Sequence, residues 1–135
     1  MENSMKMQTM FNKMALVCSV CGLAFVGAPL TSQADEVPAS FQASPDVYKV
    51  LAENDEMRIG VATWKPGQKD NSHSHPKAAF YTVKECHARI TASDGKVKEV
   101  NNKAGTARIN PPVKSHTFEN IGTTECQQVF VELKK

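Results

Sequence analysis

Four histidines are the residues of this chain best suited to chemistry, and three of them share a pattern. His73 and His75 are one residue apart. On an extended strand, residues i and i+2 project from the same face, so the two imidazoles can converge on one cation. His116 lies later, after Pro111 and Pro112, on a stretch that also reads as a strand. Three imidazole nitrogens at about 2.0–2.1 Å hold a divalent transition metal while leaving coordination positions open. Imidazole suits Fe, Ni, Cu, Zn and Mn, with geometry and metal supply deciding among them. His87 sits beside Cys86 without such a partner and reads as a surface histidine. A zinc site from Cys86, Cys126 and His87 would lack a fourth ligand.

The elements that must position these rings are short strands. Turn residues recur at 53–56, 66–67, 93–96, 101–102, 111–112 and 120–122. Between them, β-branched, aromatic and alternating residues predict strands near 47–52, 57–64, 72–75, 78–85, 87–92, 96–100, 106–110, 115–119 and 126–133. No stretch carries a helical repeat, so the fold class is all-β, a sandwich or barrel. Asp94-Gly95 marks a tight hairpin, since both residues tolerate positive φ. Residues 35–46, with Pro38, Pro45 and two serines, read as a flexible lead-in to a domain over 47–135.

The spacing around the histidines resembles the cupin superfamily. Its first motif, G-x5-H-x-H-x3,4-E-x6-G, aligns with Gly67, His73 and His75; its second, G-x5-P-x-G-x2-H-x3-N, aligns with Gly105, Pro111, His116 and Asn120. The resemblance spans roughly Val47 to Leu133. It implies a jelly-roll barrel with a metal in its mouth held by His73, His75 and His116, and iron as first choice. Gly67 and Gly105 would serve strand-entry turns, and Asn120 would close a turn with its side-chain amide. Three positions depart from the pattern. The usual glutamate ligand falls on Ala79, or on Phe80 with the longer spacing; a motif glycine falls on Cys86; another falls on Val113.

Without the glutamate, three neutral imidazoles leave a divalent ion its full charge, which favours an anionic small-molecule ligand in the open positions. The function so implied is a metal-dependent dioxygenase acting on a small anionic substrate; the alternative is a non-catalytic metal- or ligand-binding barrel. Arg58, Phe80 and Tyr81 are the candidates for substrate binding, Arg58 by bidentate hydrogen bonds if it points inward. Trp64 reads as core. Glu119 falls off the His116 face by alternation and is rejected as a ligand.

The N-terminus reads as an address. Lys6 and Lys13 precede the uncharged stretch Met14–Leu30, and Ser32-Gln33-Ala34 fits a small-x-small cleavage site, so residues 1–34 are expected to be a signal peptide of a secreted or periplasmic protein. Cys86 and Cys126 are the two cysteines beyond it, and an even pair in an exported chain suggests a disulfide. The cupin likeness would also bring them together, where the strand ending at Glu85 meets the start of the last strand. Two free thiols are the alternative. The net charge of +2, with 22% charged residues, gives no basic stripe and argues against nucleic acid. After cleavage no apolar run suits a membrane span, which needs about 20 residues. Cupins often pair through edge strands, so a homodimer is also expected from the likeness.

Overall fold

In the computed structural model of this protein, residues 36–134 are described, and the expected signal peptide lies outside them. Nine strands follow one helical turn, α1 (Ser40–Ala43): β1 (Tyr48–Glu53), β2 (Met57–Trp64), β3 (His73–His75), β4 (Ala78–Lys84), β5 (Cys86–Ala92), β6 (Val97–Asn102), β7 (Ala107–Asn110), β8 (Val113–Asn120) and β9 (Cys126–Leu133). They form a five-stranded sheet, β1-β2-β9-β4-β7, and a four-stranded sheet, β3-β8-β5-β6.

Period-two alternation decides which residues meet between the sheets. On β9, Cys126, Gln128, Phe130 and Glu132 are buried; on β2, Gly60, Ala62 and Trp64 are. Phe130, Trp64, Phe80, Tyr48 and Phe118 make up most of the core volume. Gly60 is needed for this packing, because a Cβ there would run into the ring of Phe130. Gly67 and Gly105 take positive φ, +75° and +80°, as their turns require. Asn120 closes the β8–β9 turn: its Oδ1 accepts from Gly122 N–H at 3.0 Å and its Nδ2 donates to the Thr124 and Trp64 carbonyls.

The lead-in is hydrogen-bonded to the domain. Ser74 N–H donates to the Pro38 carbonyl at 2.9 Å, and Asn71 N–H donates to Ser44 Oγ at 2.8 Å. Ser40 and Ser44 are fully enclosed. The segment is ordered because β3 is an edge strand whose free backbone groups need partners, and residues 37–44 supply them. A four-residue turn is too short to leave a periodic signal, so α1 was not foreseen.

The two departures from the cupin pattern outside the ligand position have structural roles. Val113 is already in β8, paired opposite His75, so the strand starts directly after Pro112. Cys86 is bonded to Cys126, with Cα atoms 4.7 Å apart across a sequence separation of 40. The antiparallel pairing of β4 with β9, Lys84 opposite Gln127, brings them together. A cross-link closing a loop of this size contributes about 4 kcal/mol, chiefly by restricting the unfolded chain. The double variant Cys86→Ala/Cys126→Ala is expected to lose stability on that scale in urea unfolding; an unchanged midpoint would mean that the bridge constrains nothing.

Candidate metal centre

The four-stranded sheet brings three rings together. His73 is directly opposite His116 in the β3–β8 pair, and His75 follows on the same face of β3. His73 is fully enclosed, His75 nearly so, and His116 is half-buried. His73 Nε2 lies 3.0 Å from His75 Nε2 and 3.0 Å from His116 Nε2. One potential ligand atom from each residue falls within 4.8 Å of the others.

The outer nitrogens explain why the inner ones carry lone pairs. His73 Nδ1 lies 2.8 Å from the Asn71 carbonyl, and His75 Nδ1 lies 2.6 Å from Glu132 Oε1. A carbonyl and a carboxylate only accept, so both Nδ1 atoms donate. In a neutral ring the proton is thereby placed on Nδ1, and Nε2 presents a lone pair. Burial holds His73 neutral, with its pKa lowered to about 4, and does the same for His116, lowered to about 3. The Nε2 lone pairs of His73 and His75, facing one another at 3.0 Å, repel unless a positive centre sits between them. The donor set therefore fits a cation. Nitrogens about 2.1 Å from a shared centre stand about 3.0 Å apart when they subtend right angles, the spacing that His73 Nε2 has to each of the other two.

The five-stranded sheet supplies the bracing. Tyr48 of β1 donates to Asp70 Oδ2 at 2.8 Å and turns its oxygen toward His73 Nε2, 3.2 Å away. Asp70 also accepts from Trp64 Nε1 at 3.2 Å and from the Phe118 backbone N–H at 2.6 Å. Burial raises the Asp70 carboxyl to about 6, while these three hydrogen bonds pull it back toward the ionised form. Burial, with the Asp70 charge adding to it, pushes the Tyr48 hydroxyl well above its ordinary range, so the phenol stays protonated. Glu132 is fully enclosed, and its second oxygen accepts from Arg58 Nη1 at 3.2 Å. Arg58 in turn grips Glu53 through Nε and Nη2, and Lys134 reaches Glu53 from the other side.

Of the residues expected at a substrate, Phe80 is buried, with its ring 5.6 Å from that of His75. Arg58 does point at a carboxylate, but at the protein's own Glu132 and Glu53, and it is spent there. Tyr81 alternates to the outer face of β4 and is half exposed, away from the rings. His87 is exposed, Trp64 is core, and Glu119 pairs with Arg89. Sequence reasoning missed Tyr48, Asp70 and Glu132. The alternation that buries Cys126 and Phe130 also aims Glu132 inward, and that signal was available. Asp70 sits in an irregular loop, where no period reports direction.

The Cupin domain family matches residues 60–132. No curated protein matches the chain. Among solved structures, a cupin domain from Bordetella pertussis Tohama I is similar at 17% identity and a TM-score of 0.61, covering 73% of this chain and 97% of that one. A conserved protein with a double-stranded β-helix domain from Klebsiella pneumoniae subsp. pneumoniae is similar at 26% identity and a TM-score of 0.53, covering 64% and 75%.

Glu132 orients His75 from behind the ring, as a partner to a metal-ligating histidine would, an arrangement whose loss typically weakens metal binding 10–100-fold. In Glu132→Gln the amide oxygen can still accept from His75, but the charge is gone and an N–H faces Arg58. The expected result in a competition titration against a chromophoric chelator is an affinity for Co(II) lowered by about that factor. Equal affinity in the two proteins would remove Glu132 from the account.

Proposed function

The chain belongs to the cupin domain family, and on that premise we propose that it is an exported metal-binding cupin whose His73, His75 and His116 hold one divalent transition ion. We read iron as the first choice and a dioxygenase reaction on a small anionic substrate as the activity. The observation that carries this reading is the His73 Nε2 atom 3.0 Å from both His75 Nε2 and His116 Nε2, with the Nδ1 protons of His73 and His75 committed elsewhere. Held by three imidazoles, such an ion would supply open positions for an anion and, as iron, electrons for dioxygen.

The chain's own residues do the rest. Glu132 fixes the ring of His75, and the Asn71 carbonyl fixes that of His73. Tyr48 holds its proton toward Asp70, leaving its oxygen free to accept a hydrogen bond from a ligand beside His73. Phe80 and Phe130 wall the space next to His75 and exclude water. The Cys86–Cys126 bridge supports the exported reading, since disulfides persist in oxidising compartments. Among the described residues no helix is long and apolar enough to cross a membrane.

The alternative, a barrel that binds without turning over, gains support from the commitment of Arg58 to internal carboxylates and the outward face of Tyr81. Oxygen uptake separates the two. Iron-loaded protein given a panel of small carboxylic acids and thiols is expected to consume oxygen with at least one of them, and His75→Ala to consume none. Stoichiometric iron binding with no uptake on any acid or thiol would leave the binding reading in its place.

A further inference from the structure

The chain has three arginines, and the structure treats one differently. Arg58 is paired with Glu53 and Glu132, and Arg89 with Glu99 and Glu119. Arg108, on β7, forms no salt bridge among the described residues, although it is half-buried. It stands directly opposite Phe80 in the β4–β7 pair and therefore shares the inward face of that sheet. Its guanidinium carbon lies 4.8 Å from the centre of the Phe80 ring. Its Nη2 donates to Gln128 Oε1 at 2.8 Å. A guanidinium has five N–H donors, and this neutral partner and an aromatic face are weak compensation for a cation taken out of water. Burial accordingly pulls its pKa down.

A second observation points to the same space. Thr82 Oγ1, on the inward face of β4 and opposite Gln128, is fully buried and has no hydrogen-bond partner. Buried hydroxyls are normally satisfied, and this one, across from the glutamine that holds Arg108, is a further donor left without an acceptor among the described residues. The Phe80 ring, whose one neighbour is this arginine, has the His75 ring as another, 5.6 Å away.

We propose that Arg108, held in place by Gln128 and with the Thr82 hydroxyl as a second donor, forms an anion subsite that grips the far carboxylate of a two-headed ligand whose near end sits at the histidines; Gln128 itself donates its Nε2 to Cys86 Sγ. The occupant is a small dicarboxylate-class molecule, its apolar middle lying along Phe80. The planar fork of Arg108 matches a carboxylate bidentately, which a lysine does not. This subsite rests on the metal reading only for the near end of the ligand.

The test uses Co(II)-loaded protein titrated with succinate, glutarate, adipate and, as the one-headed control, pentanoate. Binding is followed by calorimetry and by the visible spectrum of the metal. At least one diacid is expected to bind roughly 10–100-fold more tightly than pentanoate, the range for a hydrogen bond to a charged group. Arg108→Met is expected to abolish that advantage while leaving pentanoate and Co(II) affinity unchanged. Arg108→Lys, which keeps the charge over Phe80, is expected to lose most of it and carries the test should the Met variant fail to fold. A diacid advantage that survives in these variants, or no advantage in the native protein, overturns the proposal. If Co(II) is not taken up, or its spectrum ignores every anion, the metal reading fails separately. Calorimetry on the metal-free protein then decides whether diacid binding still depends on Arg108.

Discussion

Nitrogen lone pairs held against one another inside a protein are the constraint from which the rest of this molecule follows. Neutral imidazoles ordinarily avoid such an approach by placing a proton between them. Here that proton is claimed elsewhere, by the Asn71 carbonyl for His73 and by the Glu132 carboxylate for His75. Burial further discourages a charged ring at His73 and His116. What remains is a concentration of negative potential that a small cation relieves and that water, with two protons to offer, relieves less well.

The two sheets divide the labour. One carries all three histidines on β3 and β8. The other carries groups that hold them, Tyr48 on β1 and Glu132 on β9, while Asp70 reaches in from the loop before β3. Two carboxylates buried this deeply would be costly alone. Each is satisfied: Asp70 by a hydroxyl, an indole and a backbone amide, Glu132 by an imidazole and a guanidinium. The arrangement also answers the missing ligand glutamate at Ala79 and Phe80. A carboxylate is still present, behind His75, where it would offset part of the charge of an ion without occupying a coordination position.

Much of this was legible in the sequence. The strands and the convergence of His73, His75 and His116 followed from alternation and from paired motif spacings. The meeting of Cys86 with Cys126 followed from their even number and the cupin likeness. What stayed hidden were contacts between strands, because spacing along one strand does not report which residue of another stands opposite. Arg58 shows this: the sequence left its direction open, and its partner, Glu132, lies on a strand far along the chain. Tyr81 shows the complement, since a shift of one residue from Phe80 turns a side chain to the outer face. The contacts of the lead-in with the edge of β3 have a tertiary cause that composition does not carry.

The most direct test of the central claim is X-ray absorption at the metal edge of the iron-loaded protein. The account predicts imidazole scattering from three rings at about 2.0–2.1 Å, completed by light oxygen or nitrogen atoms. Fewer than two imidazoles in the shell, or a sphere built mainly of carboxylate oxygen or sulfur, would contradict it.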